Sequence, residues 1–158
     1  MRVLSKLMQR RELFNFLNVE KKESVVIMAP YLDGDLNNCL DCDAPCVNEC
    51  EEKILEYNNA PLINFSLGGC TYCEACFNAC EKDVLNNLDV QIKAVANLST
   101  KSCIAWNSVV CYSCADVCDV RAIKFFGMFK PTVNIESCTG CGMCLHVCPS
   151  NAIHMRVS

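Results

Sequence analysis

An α+β fold is expected for this chain: two tandem units of short hairpins and short helices, behind an N-terminal helix. Three observations lead there. The 158 residues include 16 cysteines, these fall into four groups of four, and the distance between groups itself repeats, the mark of an internally doubled sequence. Cys50 to Cys80 is 30 positions and Cys118 to Cys148 is also 30, whereas Cys80 to Cys118 is 38. The first two groups therefore form one unit, taken as residues 31–95, and the last two another, residues 96–158. Aromatic residues make up only 8% of the chain and tryptophan occurs once. A core that thin needs staples, either disulfides or metal.

Residues 1–30 stand apart by charge. Arg2, Lys6, Arg10, Arg11, Lys21 and Lys22 face only Glu12 and Glu20 in the first 22 residues, a balance of +4, while the rest of the chain carries −8. Leu4, Leu7, Met8, Leu13, Phe14, Phe16 and Leu17 give this segment the apolar stripe of an amphipathic helix. It is expected to dock on the acidic body or to serve as an arm that binds a partner. An acidic body repels phosphates, so no nucleic-acid partner is expected.

Within each unit the stretch between the two cysteine groups has one length: Cys50 to Cys70 and Cys118 to Cys138 both span 20 positions. Both read as hairpins. "KILEYNNAPLINF" sets strand-forming residues around an Asn-Asn-Ala-Pro turn, and "AIKFFGMFKPTVNI" has two apolar runs punctuated by Gly127 and Pro131. The segment after each fourth cysteine, such as "NAIHMRV" at the end, is expected to return as an outer strand.

Compartment decides what the thiols do. The twin arginine Arg10-Arg11 is followed by "ELFNFLNVEKKES", studded with charge, and the next apolar run, Val25 to Ala29, falls short of the roughly 7–15 residues an export signal needs, so the pair reads as part of the working chain, with an atypical twin-arginine signal as the rival reading. No stretch is long and apolar enough for a membrane span. The chain is therefore expected to work in the cytoplasm, where thiols serve as metal ligands more often than as disulfides.

The spacing narrows the metal. A structural zinc site usually draws one C-x2–4-C pair from each of two separated loops. Here three thiols crowd into one loop and a fourth follows, as in "CTGCGMCLHVCP", the C-x2-C-x2-C-x3-C-P run of iron–sulfur proteins. A cubane needs several corners held by one tight loop, and Gly140 and Gly142 let backbone amides approach its sulfides. The fourth group, Cys138, Cys141, Cys144 and Cys148, matches this run in full. The second, Cys70, Cys73, Cys76 and Cys80, has Glu81 where proline is usual. In the first, Cys39, Cys42, Cys46 and Cys50, three residues separate the second and third thiols, and in the third, Cys103, Cys111, Cys114 and Cys118, seven separate the first two. For the irregular groups a zinc site or unused buried thiols is the rival reading. Up to four [4Fe–4S] clusters are expected. In bacterial two-cluster ferredoxins the fourth thiol of each run ligates the other cluster. Applied here, that crossover groups Cys39, Cys42 and Cys46 with Cys80; Cys70, Cys73 and Cys76 with Cys50; Cys103, Cys111 and Cys114 with Cys148; and Cys138, Cys141 and Cys144 with Cys118.

No catalytic constellation accompanies the thiols, and no enzyme activity is expected. His146 and His154 are the only histidines, and His146 reads as a helix residue packing near a cluster. No Gly-rich phosphate loop or nicotinamide fingerprint is present.

The residues carry a family resemblance. "SCIAWNSVVCYSCADVCDVRAIKF", "CTGCGMCLHVCPSNAI" and "PLINFSLGGCTYCEAC", with the twin arginine near the start, resemble the NapF-type proteins, ferredoxin-like accessory proteins of the periplasmic nitrate reductase system. The likeness runs from Arg10 to about Ile153. The extra residue before Cys46 and the absent prolines at Glu51 and Glu81 depart from it. The resemblance implies a cytoplasmic protein that binds the precursor of the molybdenum-containing catalytic subunit and assists its maturation before export. The residues alone imply less: a multi-cluster electron carrier or cluster donor, such as a subunit of another oxidoreductase.

Overall fold

Each fourth cysteine is followed by the same tight turn, and that turn organises the chain. Lys53, Asp83, Arg121 and Asn151 all stand three residues after such a cysteine, and all four adopt left-handed backbone, with φ of 55°, 54°, 49° and 49°. The turn delivers a buried residue at the next position: Ile54, Val84, Ala122 and Ala152 are at most 2% exposed. This fourfold recurrence is seen in a computed structural model that describes residues 26–86 and 90–158. The expected N-terminal helix falls outside the described residues.

The helices are single turns and the strands are short. In chain order come a 3-10 turn at Leu36–Cys39, α1 at Pro45–Asn48, β1 at Leu55–Tyr57, β2 at Pro61–Ile63, α2 at Ala75–Asn78 and β3 at Ala94–Leu98. Then follow α3 at Ser113–Asp116, β4 at Ile123–Phe126, β5 at Phe129–Val133, α4 at Met143–His146 and β6 at Ile153–Val157. Isolated helices this short have no stability of their own. Tertiary packing must hold them.

Both expected hairpins form. β1 pairs antiparallel with β2, Tyr57 opposite Pro61, around a three-residue turn in which Asn59 takes the left-handed conformation its short polar side chain tolerates. β4 pairs with β5 through Gly127 and Met128; Gly127 has φ +65°, as the first position of a two-residue hairpin turn requires. Pro131 does not interrupt that hairpin. It lies inside β5, opposite Phe125, just after a bulge at Lys130 where proline is admitted to a strand.

The closing segment does return as an outer strand. β6 pairs antiparallel with β3 from Ala94↔Val157 to Leu98↔Ile153. In the first unit the corresponding place is held by the single bridge Leu32↔Leu85, and Gly34 there packs so closely on Asp83 and Val84 that a Cβ would stand 2.4 Å from the Asp83 carbonyl oxygen. The core is correspondingly divided. Ile27, Tyr31, Ile54, Leu55, Ile63, Leu85, Ile92 and Ala94 form one cluster, while Ala96, Ile123 and Ile153 form another, both completed by cysteine side chains. The 95/96 boundary drawn from the sequence thus falls within β3.

Candidate iron–sulfur centres

The 16 thiols ring four separate cavities, four thiols to each. Cys39, Cys42, Cys46 and Cys80 line the first, and Cys50, Cys70, Cys73 and Cys76 the second. Cys103, Cys111, Cys114 and Cys148 line the third, and Cys118, Cys138, Cys141 and Cys144 the fourth. These are the four sets that the crossover names, and we refer to the cavities as cages one to four.

The one-turn helices produce the exchange. Each ends between two cysteines four residues apart and sends them to different cages: α1 carries Cys46 to cage one and leads to Cys50 in cage two, and α2 carries Cys76 to cage two and leads to Cys80 in cage one. α3 and α4 repeat this with Cys114 and Cys118, and with Cys144 and Cys148. Three helices begin on a left-handed residue, Ala44, Glu74 or Gly142, so the chain reverses sharply between the second thiol of the loop and the third. The extra residue of the first group is absorbed there, with Ala44 as the reversal and Pro45 at the first helical position, where a missing N–H costs nothing. The absent prolines at Glu51 and Glu81 change little, because Lys53 and Asp83 make the same turn as Asn151 behind Pro149.

The irregular third group reaches its cage through a loop anchored by the one tryptophan, a residue the sequence reading left unassigned. Trp106 Nε1–H donates to the Pro131 carbonyl at 3.0 Å, and the Lys130 ammonium lies 5.8 Å from the ring centroid. Ala105, 1% exposed, and Ala152, fully buried, pack with Cys103 beneath it.

The cages are apolar and crowded with potential negative charge. Burial, followed by the neighbouring thiols, pushes Cys76 and Cys144 from 9.0 up to about 12, and burial pushes Cys46, Cys70 and Cys114 up to about 11. Cys39 is raised for the same reasons. Cys148 goes the other way. Burial tends to raise it, but the N–H groups of Ala152, Ser150 and Ile153 and the Ser150 hydroxyl together lower it.

Backbone amides are aimed at sulfur in a repeated way. Ala122 N–H donates to Cys118 Sγ and Ala152 N–H to Cys148 Sγ, each at 3.2 Å, and Leu85 N–H donates to Cys80 Sγ at 3.4 Å. Tyr72 N–H reaches Cys70 Sγ at 3.4 Å. Among the described residues no three His, Cys, Asp or Glu side chains close up as tightly as one bound metal ion draws its ligands; the thiols stand around the cavities instead. Four soft sulfur donors, at least one of them buried in each cage, supplied with N–H donors, fit an iron–sulfur cluster: its iron would provide the cationic charge that lets the thiolates exist there, and the N–H groups would tune its potential. His146, at the end of α4, turns to the first unit, where its Nε2–H donates to the Phe65 carbonyl at 2.9 Å.

A ferredoxin-like iron–sulfur protein is the class that this arrangement of short elements and thiols defines. Residues 102–152 match the family model described as a 4Fe-4S dicluster domain. Over 143 residues the chain is 35% identical to the ferredoxin-type protein NapF of Escherichia coli strain K12, covering 84% of this chain and 86% of that protein. It is 34% identical over 148 residues to the ferredoxin-type protein NapF of Haemophilus influenzae, covering 88% and 84%. The methylamine utilization ferredoxin-type protein MauM of Methylorubrum extorquens is more distant, 27% identical over 149 residues, with 79% of this chain and 67% of that protein covered. The chain belongs to the NapF family of ferredoxin-type proteins and carries iron–sulfur clusters of the 4Fe–4S type. Among the described residues no helix is long and apolar enough to cross a membrane.

Proposed function

We propose that the chain is a cytoplasmic, non-catalytic accessory protein. It holds four [4Fe–4S] clusters in cages one to four, binds the precursor of the catalytic subunit of a periplasmic nitrate reductase, and assists that subunit's cluster assembly or redox poise before export. The reading is supported best by one conjunction: every cysteine of the chain sorts into a four-thiol cage in a protein that is NapF-like over 84% of its length. The clusters supply one-electron redox chemistry. The chain's residues hold them on thiolate, keep water from the buried sulfurs and aim N–H groups at Cys80, Cys118 and Cys148. The formal charge of −4 becomes more negative when thiolate-ligated clusters are bound, so a precursor would meet an acidic body and contact should weaken with salt.

An anaerobic pull-down with the tagged chain tests this. Recovery of the nitrate reductase precursor, and not of the exported mature enzyme, is the expected result. Recovery of some other reductase with no precursor rejects it. That outcome would select a second reading, an electron-transfer subunit of a different oxidoreductase, which the weaker likeness to MauM favours.

A further inference from the structure

The two units meet ligand loop to ligand loop. The backbone N–H of Cys70, which belongs to cage two, donates to the carbonyl oxygen of Cys141, which belongs to cage four, at 2.7 Å. Around this bond the loops are clamped at several points. The Tyr72 hydroxyl donates to the Thr139 carbonyl, and His146 Nε2–H donates to that of Phe65. Two glycines make the approach possible. A Cβ on Gly69 would stand 2.6 Å from both the backbone nitrogen and the sulfur of Met143, and one on Gly142 would stand 2.2 Å from the Phe65 ring. Gly142 therefore does more than open space around a cluster: it also admits the other unit.

We propose that this junction makes one electron path of the two units, with the cages in the order one, two, four, three. Within each unit, neighbouring cages are joined by one short helix, as Cys46 lies in α1 and Cys50 just beyond its end, and Cys114 lies in α3 and Cys118 just beyond its end. Between units the link is a backbone hydrogen bond that joins one cysteine residue of cage two to one of cage four. The junction carries a single electron: the cluster held by Cys50, Cys70, Cys73 and Cys76 is oxidised by one as the cluster held by Cys118, Cys138, Cys141 and Cys144 is reduced by one. No bond is made and no proton moves. The electron enters from a low-potential one-electron donor, and the free ends of the path are cages one and three. The inference rests on the cages holding clusters, as proposed above.

The test uses the full chain, purified without oxygen and reduced with dithionite, with iron and sulfide analysis alongside EPR line shape and spin relaxation. In the fully reduced protein the spins are expected to couple along a row of four, so that the inner two each feel two neighbours. Gly69→Ala, which forces loop and Met143 backbone apart, should reduce this to two independent pairs with iron and sulfide content unchanged. Tyr72→Phe, which removes one clamp and little else, should weaken the inter-unit coupling in the same direction and serves if Gly69→Ala does not fold. Two independent pairs in the unsubstituted protein at full iron and sulfide load would overturn the junction while leaving the cages standing. Iron too low to fill cages two and four would overturn the cage assignment, and the route with it.

Discussion

The backbone N–H of Ala152 points at Cys148 Sγ from 3.2 Å, and the Asn151 turn that aims it recurs after every fourth cysteine. Together with the Ser150 and Ile153 amides and the Ser150 hydroxyl, it lowers the Cys148 pKa against the pull of burial, whereas burial raises Cys144 to about 12. Thiolate is the form that alkylates. In the cluster-free chain, therefore, iodoacetamide labelling of Cys148 should pass its half-point below pH 9, while that of Cys144 should pass it well above. Peptide mapping by mass spectrometry across a pH series checks the order; a Cys144 midpoint at or below that of Cys148 would contradict it.

The exchange of thiols between cages makes a prediction about pairs of substitutions. Residues acting in one unit give non-additive losses, whereas independent ones add. Cys103→Ser and Cys148→Ser touch one cage, so the double variant should lose no more iron than either single one. Cys144→Ser with Cys148→Ser touches two cages although only the end of α4 separates the residues, and the losses should add. Iron analysis of anaerobic preparations decides it, and the reverse pattern would mean that each run of cysteines fills its own cage.

Gly127 and Gly142 share a left-handed backbone, with φ of +65° and +77°, but not their surroundings. Nothing lies within 4 Å of a Cβ built on Gly127, while one on Gly142 would strike the Phe65 ring. Gly127→Ala should cost only the left-handed penalty of about 1–2 kcal/mol. Gly142→Ala should cost more, since overpacking adds about 1–3 kcal/mol to that penalty. Thermal melts of the cluster-loaded proteins measure the difference, and equal costs would show that the Phe65 contact yields freely.

Much of this could be read from the sequence because cysteine spacing is a geometric statement. Three thiols in one loop and a fourth four residues on fix which loop faces which cage, and strand-forming residues around Asn58-Asn59 and Gly127 fix the hairpins. What was hidden has a common cause, in that it depends on backbone conformation that side-chain type does not encode. Asp83 and Asn151 are residues that tolerate a left-handed turn, yet Lys53 and Arg121 make the same turn with no such preference. Pro131 looked like a break because its place beside a bulge cannot be seen before the ladder is drawn. Gly140 and Gly142 read as room for a cluster, since nothing local records that Ala94 of β3 presses on the first and Phe65 of the other unit on the second.

Trp106 supplies the last prediction. The seven residues between Cys103 and Cys111 lie outside the helices and strands, so the loop depends on a few fixed points. Its indole N–H bonds the carbonyl of Pro131, a residue that is itself under 2% exposed, and its ring receives Lys130. Trp106→Phe keeps most of the packing and loses that hydrogen bond, a cost of about 1 kcal/mol. Trp106→Ala removes the ring as well and costs about 3 kcal/mol, the lower end for a large aromatic because this one is only partly buried. Both losses fall on the loop that holds Cys103 and Cys111, whereas cages one, two and four draw no residue from it. Challenged anaerobically with an iron chelator, the alanine variant should release one cage's share of iron early and the remainder at the rate of the unsubstituted protein, with the phenylalanine variant intermediate. A single faster phase that takes all the iron would mean that the loop supports the whole molecule and not one cage.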